Sequence, residues 1–433
     1  MIRTTKKHIV ENAGDFKYRL LKWSQQFREI VFLDSNQYPH LYAEYDAVLA
    51  VEAFTSIQTD SYNAFDDLHQ YQSKTQDWLF GYLTYDLKND TEKLTSANFD
   101  GLQFPELFFF QPKKLFLLKN LEVEILYLQF CDDEIDSDFE EILNMNLEIP
   151  VYFPENPILL QQRISKNDYF QKFDKIHQYI LNGDIYEMNF CMEFYAENAT
   201  INPLDTYIKL NRISEPPFAV FLKNNRHYLC SASPERYLKK SGIKVISQPI
   251  KGTSKRVSDK EEDETSKEEL AVNAKERSEN IMIVDLVRND LSRTASKGSV
   301  AVEELCGVYS FKQVHQLIST ITSEVEHTTS PVEIIKTTFP MGSMTGAPKI
   351  SAMEIIEEAE ETKRGLYSGA VGYFTPQGDF DFNVVIRSIL YNEQNKYLSF
   401  SVGSAVTAES LPEKEYEECL LKAKAMFQVL LKE

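Results

Sequence analysis

Ser165-Lys-Asn-Asp168-Tyr169-Phe170-Gln-Lys-Phe173-Asp-Lys-Ile176-His-Gln-Tyr-Ile180-Leu-Asn-Gly183, followed after Asp184 by Ile185-Tyr-Glu187-Met-Asn-Phe-Cys-Met-Glu-Phe194, is the stretch that decides the fold class. Tyr169, Phe170, Phe173, Ile176 and Ile180 recur at helical spacing behind a serine suited to cap a helix, and Gly183 ends the pattern. The run from Ile185 to Phe194 reads as a strand, and a second helix-and-strands unit follows it. Helices then alternate with short strand pairs to the end of the chain. This predicts an α+β layered body and leaves its topology open. No tandem repeat of fixed period is present.

Upstream of Pro157 the pattern differs. Trp78 to Tyr85, Leu115 to Leu118 and Glu122 to Tyr127 read as partly alternating strands, and the acidic run Asp132 to Glu141 as a solvated loop leading into a helix. The change predicts an amino-terminal region, 1–155, and a second region, 156–433, packed in one body. Length alone, at 433 residues, fits two or three ordinary domains with a sizeable core. A 43% hydrophobic and 26% charged composition is that of a globular chain. The net charge of -20 repels phosphate backbones and argues against a nucleic-acid partner. An anionic ligand would need local cations or a metal to overcome that field. The five cysteines, Cys131, Cys191, Cys230, Cys306 and Cys419, form no C-x-x-C pair, which argues against a disulfide framework or zinc site. They fit a reducing compartment. No apolar core of signal length follows the basic start Met1 to Lys7, and no stretch reaches bilayer length. The expectation is a cytoplasmic protein with no membrane partner.

Several constellations could carry chemistry. In Glu276-Arg-Ser-Glu279 and in Glu415-Tyr-Glu-Glu418, two carboxylates three residues apart share a helix face. Each pair alone is more often a solvated face; two pairs meeting across a cleft would offer hard oxygen ligands suited to Mg2+. The charged stretch Ser258 to Glu269 reads as an exposed turn entering the helix of Glu276 and Glu279. Phe339 to Lys349, with Ser343, is rich in small residues that let a backbone approach an anion, but it is not a P-loop and reads equally as a structural turn. Lys251, in Gln248-Pro-Ile-Lys-Gly-Thr253, is either an exposed cation or, if burial lowers its pKa, a nucleophilic amine. Arg387 lies in the apolar run Phe382 to Leu390, which reads as a strand; it either grips a carboxylate or forms an internal salt bridge. His315 fits a satisfied core histidine better than a catalytic one.

Together these stretches resemble the chorismate-binding enzyme family, which includes anthranilate, aminodeoxychorismate, isochorismate and salicylate synthases. Gly183-Asp-Ile-Tyr186, Ser233-Pro-Glu-Arg236, Pro249-Ile-Lys-Gly-Thr253, Glu276-Arg-Ser-Glu279, Ser343-Met-Thr-Gly-Ala-Pro-Lys349 and Glu415-Tyr-Glu-Glu418 occur in family order between about Ile164 and Leu430. Phe32-Leu-Asp-Ser35 and Gly81-Tyr-Leu-Thr-Tyr-Asp86 resemble amino-terminal strands of the aminating members. The resemblance implies a four-layer α/β/β/α body with two orthogonally packed antiparallel sheets around a central cleft. It implies that Glu276, Glu279, Glu415 and Glu418 supply the Mg2+ environment, with the metal on the ring carboxylate of chorismate and Lys422 as a second cation. Tyr367 and Arg387 would hold the enolpyruvyl carboxylate near Ser343 and the Gly403 turn, with Thr253 and His315 as further substrate contacts. Glu235 would protonate the departing C4 hydroxyl.

Lys251 selects within the family. Anthranilate synthases resemble this stretch with alanine in place of the lysine, whereas aminodeoxychorismate synthases carry lysine. The resemblance therefore implies attack of the lysine amine at C2, followed by ammonia at C4, giving 4-amino-4-deoxychorismate, a precursor of para-aminobenzoate and folate. The chain departs from the family pattern at Glu187, Ala405 and Met341. Glu187 argues against water as nucleophile and is a possible ammonia site, or a structural substitution. No cysteine sits in a G-x-C-x-G elbow, so a separate glutaminase subunit is the implied ammonia source. The alternatives are anthranilate synthase component I and a non-catalytic scaffold that binds a glutaminase.

Overall fold

The computed structural model describes residues 2–38, 42–148 and 157–431. The helix Lys166–Asn182 starts on a capping box: Asp168 N donates to Ser165 Oγ at 3.2 Å, and Ser165 N to Asp168 Oδ2 at 3.2 Å. Gly183 closes it at φ +86°, and the strand Glu187–Ala196 follows.

Among the described residues, twenty strands form one antiparallel network with two arms. Both arms share two long strands, Ala47–Thr59 and Leu107–Lys119. Their ladder slips between Ala53 and Thr55, next to Glu52 at φ +61° and opposite Pro112. A bulge bends and twists a strand, so each long strand serves one sheet with its first half and the other with its second. In the first sheet, Glu29–Asp34 pairs with Ala47–Val51 on one side and Phe218–Asn224 on the other. That sheet continues through His227–Ser233, Ser388–Asn392 and Tyr397–Val406 to Glu187–Ala196. The second sheet runs from Leu79–Leu83 through Ala370–Phe374, Phe380–Val384, Arg236–Ser241 and Lys244–Gln248 to Val314–Glu324. Val314–Glu324 in turn carries Ile250–Lys255 and Ala301–Ser310.

Alternation along the strands assigns the layers. Ile30 and Phe32 join the core under the helices Ala13–Trp23, Lys166–Asn182, Pro203–Ser214 and Pro412–Leu431. Val31 faces the other way, into a cluster that includes Leu238, Phe374 and Phe382 of the second sheet and Val284 and Ile335 of its covering helices. The helix/sheet/sheet/helix body is thus as expected. The boundary at 155/156 lies outside the described residues. Strands from either side of it pair directly, Glu29–Asp34 with Phe218–Asn224 and Leu79–Leu83 with Ala370–Phe374.

Three local readings are corrected. The run 258–269 is not an exposed turn but lies largely within a helix of its own, Lys260–Val272. Asn273 ends it and caps the next helix, Ala274–Ser292, by accepting from Glu276 N at 3.1 Å. The run 382–390 is two strands, because Arg387 at φ +52° breaks it. Gly403 lies inside the strand Tyr397–Val406, not in a turn, since both neighbours continue its ladder with Cys191.

Phe109 is fully buried between Phe374 and Phe382, with ring centroids at 5.6 and 6.0 Å. Phe109→Ala should cost about 3–5 kcal/mol of stability, read as a lower denaturant midpoint at unchanged slope.

Candidate active site

The far ends of the two sheets and two helices, Ala274–Ser292 and Pro412–Leu431, line one cavity that opens to solvent. Of the residues read from the sequence, Glu235, Lys251, Thr253, Glu276, Glu279, Ser343, Tyr367, Arg387, Gly403, Glu418 and Lys422 line it.

Lys251 enters from the strand Ile250–Lys255, whose ladder slips between Ile250 and Thr253. Gly252 takes φ +93° there, and a Cβ on it would come within 3.2 Å of Glu276 Cβ and Oε2. Only glycine lets the Glu276 carboxylate pack against this turn. Lys251 Nζ sits 2.7 Å from Glu187 Oε1, with the Glu187 side chain buried and that of Lys251 largely so. Burial pulls the amine's pKa down, but the carboxylates of Glu187, Glu279 and Glu418 outweigh it and hold the pKa above the ordinary lysine value. The expectation that burial would bring this amine toward neutrality is therefore corrected: its neighbours keep it protonated.

Glu235 accepts a hydrogen bond from Ser343 Oγ at 2.6 Å. Burial lifts its pKa to about 7, against the opposing pull of Ser343 and Lys251. A carboxyl poised there can hold a proton near neutral pH and release it.

The Asn273 cap phases Glu276 and Glu279 on one helix face. Burial raises the pKa of Glu279 to about 7, and burial together with Glu418 raises that of Glu276. Glu279 Oε1 is buried without a hydrogen-bond donor; Lys275 Nζ stands 3.6 Å from it and 3.3 Å from Glu415 Oε1. Glu415 is buried behind Lys275 rather than lining the cavity, because that lysine holds it. Among the described residues no three His, Cys, Asp or Glu side chains stand close enough to hold a metal as they are. The donor set nevertheless fits a hard divalent cation. Glu276, Glu279 and Glu418 face one cavity, one buried oxygen is orphaned, and a lysine bridges the remaining carboxylate.

Across the cavity, burial lowers the pKa of Arg387, and no carboxylate lies within salt-bridge distance of it among the described residues. The internal-salt-bridge reading of this arginine is set aside. Tyr367 is buried, its hydroxyl 3.8 Å from Cys191 Sγ. Lys422 is not free: it pairs with Glu418 at 2.7 Å and donates to Gly403 O at 2.8 Å. A Cβ at Gly403 would come within 2.6 Å of Cys191 Sγ.

His315 is corrected as a substrate contact. It is buried outside the cavity lining, with Nε2 3.2 Å from Asp263 and Nδ1 2.8 Å from Ser310 Oγ, where it braces two strands and the helix Lys260–Val272. Sequence reading missed Arg364. Buried with Glu360, its Nη1 donates to Met344 O at 2.6 Å and its Nη2 to Asn189 O at 2.8 Å. It thereby ties the Ser343 loop to the Glu187 strand. A single arginine in Thr362-Lys-Arg-Gly carries no pattern that marks such a role. Lys275, beside Glu276, was legible only as a neighbouring charge.

A buried acid with a raised pKa, an ion-paired amine and an arginine without an acidic partner among the described residues, around one cavity, define an enzyme for a small, negatively charged substrate. The chain matches the model of the chorismate binding enzymes over residues 28–428 and belongs to that family. It is 32% identical over 401 residues to aminodeoxychorismate synthase component 1 of Bacillus subtilis, covering 90% of this chain and 83% of that protein. It is 35% identical over 355 residues to an anthranilate synthase component I-like protein of Synechocystis, covering 82% of this chain and 72% of that one. The fold matches anthranilate synthase component I of Streptococcus pneumoniae with a TM-score of 0.77 at 23% identity, over 90% of this chain and 93% of that one.

Glu235 carries a testable sign. Its pKa is about 7 when folded against an ordinary 4.5, so between those values the folded state keeps a proton that the unfolded state loses. Stability falls with rising pH across that window. The stability of Glu235→Gln relative to the parent should therefore rise from about pH 4.5 to about pH 7 and then level off. Urea titrations at several pH values read this, and a flat difference would refute the raised value.

Proposed function

We propose that the chain aminates chorismate at C4 to give 4-amino-4-deoxychorismate, using ammonia from a separate glutaminase subunit and a covalent intermediate on Lys251. Lys251 carries the reading: a buried amine, 2.7 Å from Glu187, that lines the same cavity as Glu235 and Arg387. The Bacillus subtilis relative's name supports the reaction, and the words "component 1" in it support a partner subunit.

The residues divide the work. Arg387 offers an unpaired fork to one substrate carboxylate, beside Tyr367 and the Gly403 strand. Glu235, aligned by Ser343, gives its proton to the C4 oxygen, so that water rather than hydroxide departs. The Glu235 carboxylate this leaves takes a proton from Lys251, whose nitrogen bonds C2 as the ring double bonds shift and the C4–O bond breaks, while Glu187 stays ionised. Ammonia then bonds C4, the double bonds shift back, and the C2–N bond breaks to free the lysine. Two easier displacements replace one difficult substitution. Glu276, Glu279 and Glu418, with Glu415 once Lys275 moves aside, would hold Mg2+, which when bound supplies positive charge to the ring carboxylate. Loss of pyruvate to form para-aminobenzoate falls to another enzyme.

Amination at C2 to anthranilate is the second reading, favoured by the name of the Synechocystis relative. Product identification after incubation with chorismate, Mg2+ and an ammonium salt decides between them. Non-aromatic aminodeoxychorismate is expected; fluorescent anthranilate as the main product would defeat the proposal. Lys251→Ala should abolish detectable C4 amination, and an unchanged rate and product would exclude the covalent role. Glu279→Gln should shift the Mg2+ titration of activity to higher concentration by about tenfold or more, since it removes one charged ligand.

A further inference from the structure

We infer that Glu187 is the receiving site for the amine donor: its carboxylate takes an ammonium ion beside Lys251 and removes one proton from it. This rests on the covalent reading of Lys251. Glu187 opens the strand Glu187–Ala196, where its backbone is paired with Ala347, so the side chain is fixed in depth. The side chain is 1% exposed. Oε1 contacts Lys251 Nζ at 2.7 Å, while Oε2 is buried with no hydrogen-bond partner. A buried carboxylate oxygen without a donor is costly, and such groups are few in native structures.

The group already at Oε1 indicates what this carboxylate selects. Lys251 Nζ is an alkylammonium, a tetrahedral cation with N–H donors, and ammonium is the smallest ion of that kind. When Nζ bonds to the ring it gives up N–H donors and turns from Glu187. A buried carboxylate is then short of a cation at the step that needs the second nitrogen. Ammonia in water near neutral pH is mainly ammonium, which has no lone pair to attack with, so an acceptor must take its proton.

The balance closes. Ammonium and the Glu187 carboxylate become ammonia and a Glu187 carboxyl. Ammonia bonds C4 as the C2–N bond breaks, leaving the product as an ammonium group and Lys251 as a neutral amine. The Glu187 carboxyl returns its proton to that amine, restoring the ion pair. No oxidant or further reactant is needed.

The test compares the full chain with Glu187→Gln, using chorismate, Mg2+ and ammonium chloride across a range of pH. Losing a charge-assisted contact should raise KM for ammonium about tenfold or more. KM for chorismate should stay within about twofold, because Glu187 does not touch the proposed carboxylate sites. The variant's rate should follow the free-ammonia fraction, falling more steeply below neutral pH than the parent's. Glu187→Asp, which keeps the charge, should recover part of the ammonium affinity and guards against a folding defect. Unchanged ammonium KM and pH profile would overturn the inference and leave Oε2 holding water only. A second readout, intact-protein mass after incubation with chorismate alone, separates this inference from the reading beneath it. A covalent adduct in both parent and Glu187→Gln supports an ammonium role. An adduct in the parent only would assign Glu187 to Lys251 and overturn the inference. An adduct in neither would sink the covalent reading, while the ammonium KM still decides the fate of Glu187.

Discussion

Two strands that bend at one place hold this molecule together. Ala47–Thr59 and Leu107–Lys119 pair along both their halves, interrupted where Glu52 takes a left-handed conformation beside Ala53, the partner of Pro112. Proline offers no N–H to a ladder, and a bulge re-aims the chain, so the bend falls where pairing is weakest. From that corner each sheet grows outward, one toward Glu187–Ala196 and the other toward Ile250–Lys255. Glu187 and Lys251 therefore stand on strands far from the corner, one in each sheet, and meet across the cleft. Their ion pair is a product of the corner.

The cleft is a balance of buried charges. Glu235 and Glu279 are both pushed to about 7, chiefly by burial, so their protons are loosely held near neutrality. The pKa of Lys251 is also raised, against the pull of burial, because the carboxylates of Glu187, Glu279 and Glu418 favour its charged form. Lys275 and Lys422 each engage carboxylates at the rim, leaving Arg387 as the cation without an acidic partner among the described residues. An anionic ligand entering a chain of net charge -20 meets its attraction at this local arrangement, not in the overall field. Behind the cavity the Arg364–Glu360 pair fixes the relative position of two walls. Arg364 donates to Met344 O and Asn189 O, and Glu360 accepts from Cys191 N at 2.9 Å. A guanidinium with its donors so committed resists a shift of one wall against the other.

Much of the local structure was legible because it depends on near neighbours. The capping box at Ser165, the stop at Gly183 and the three-residue spacing of Glu276 and Glu279 are set within a few residues of chain. Local readings failed where the deciding contact was remote. Arg387 sits in an apolar run, but its backbone leaves the strand conformation. His315 is the satisfied core histidine its residues suggested, and only the substrate contact implied by the resemblance fails, because Asp263 and Ser310 take its two nitrogens. Gly403 is placed by Cys191, far away in sequence, which leaves no room for a Cβ.

By itself the sequence determined the α+β class, the order of the motifs and the chemical types the site would contain, because periodicity, capping and residue chemistry are properties of short segments. Tertiary structure alone decided which of those groups share a cavity and in what state of protonation. Glu415 was drawn behind Lys275, His315 was turned to the helix side, and the Lys251 amine was tied to Glu187. A pKa depends on burial and on charges brought in from distant segments. Burial would have lowered the lysine's, and the carboxylates folded against it raised it instead.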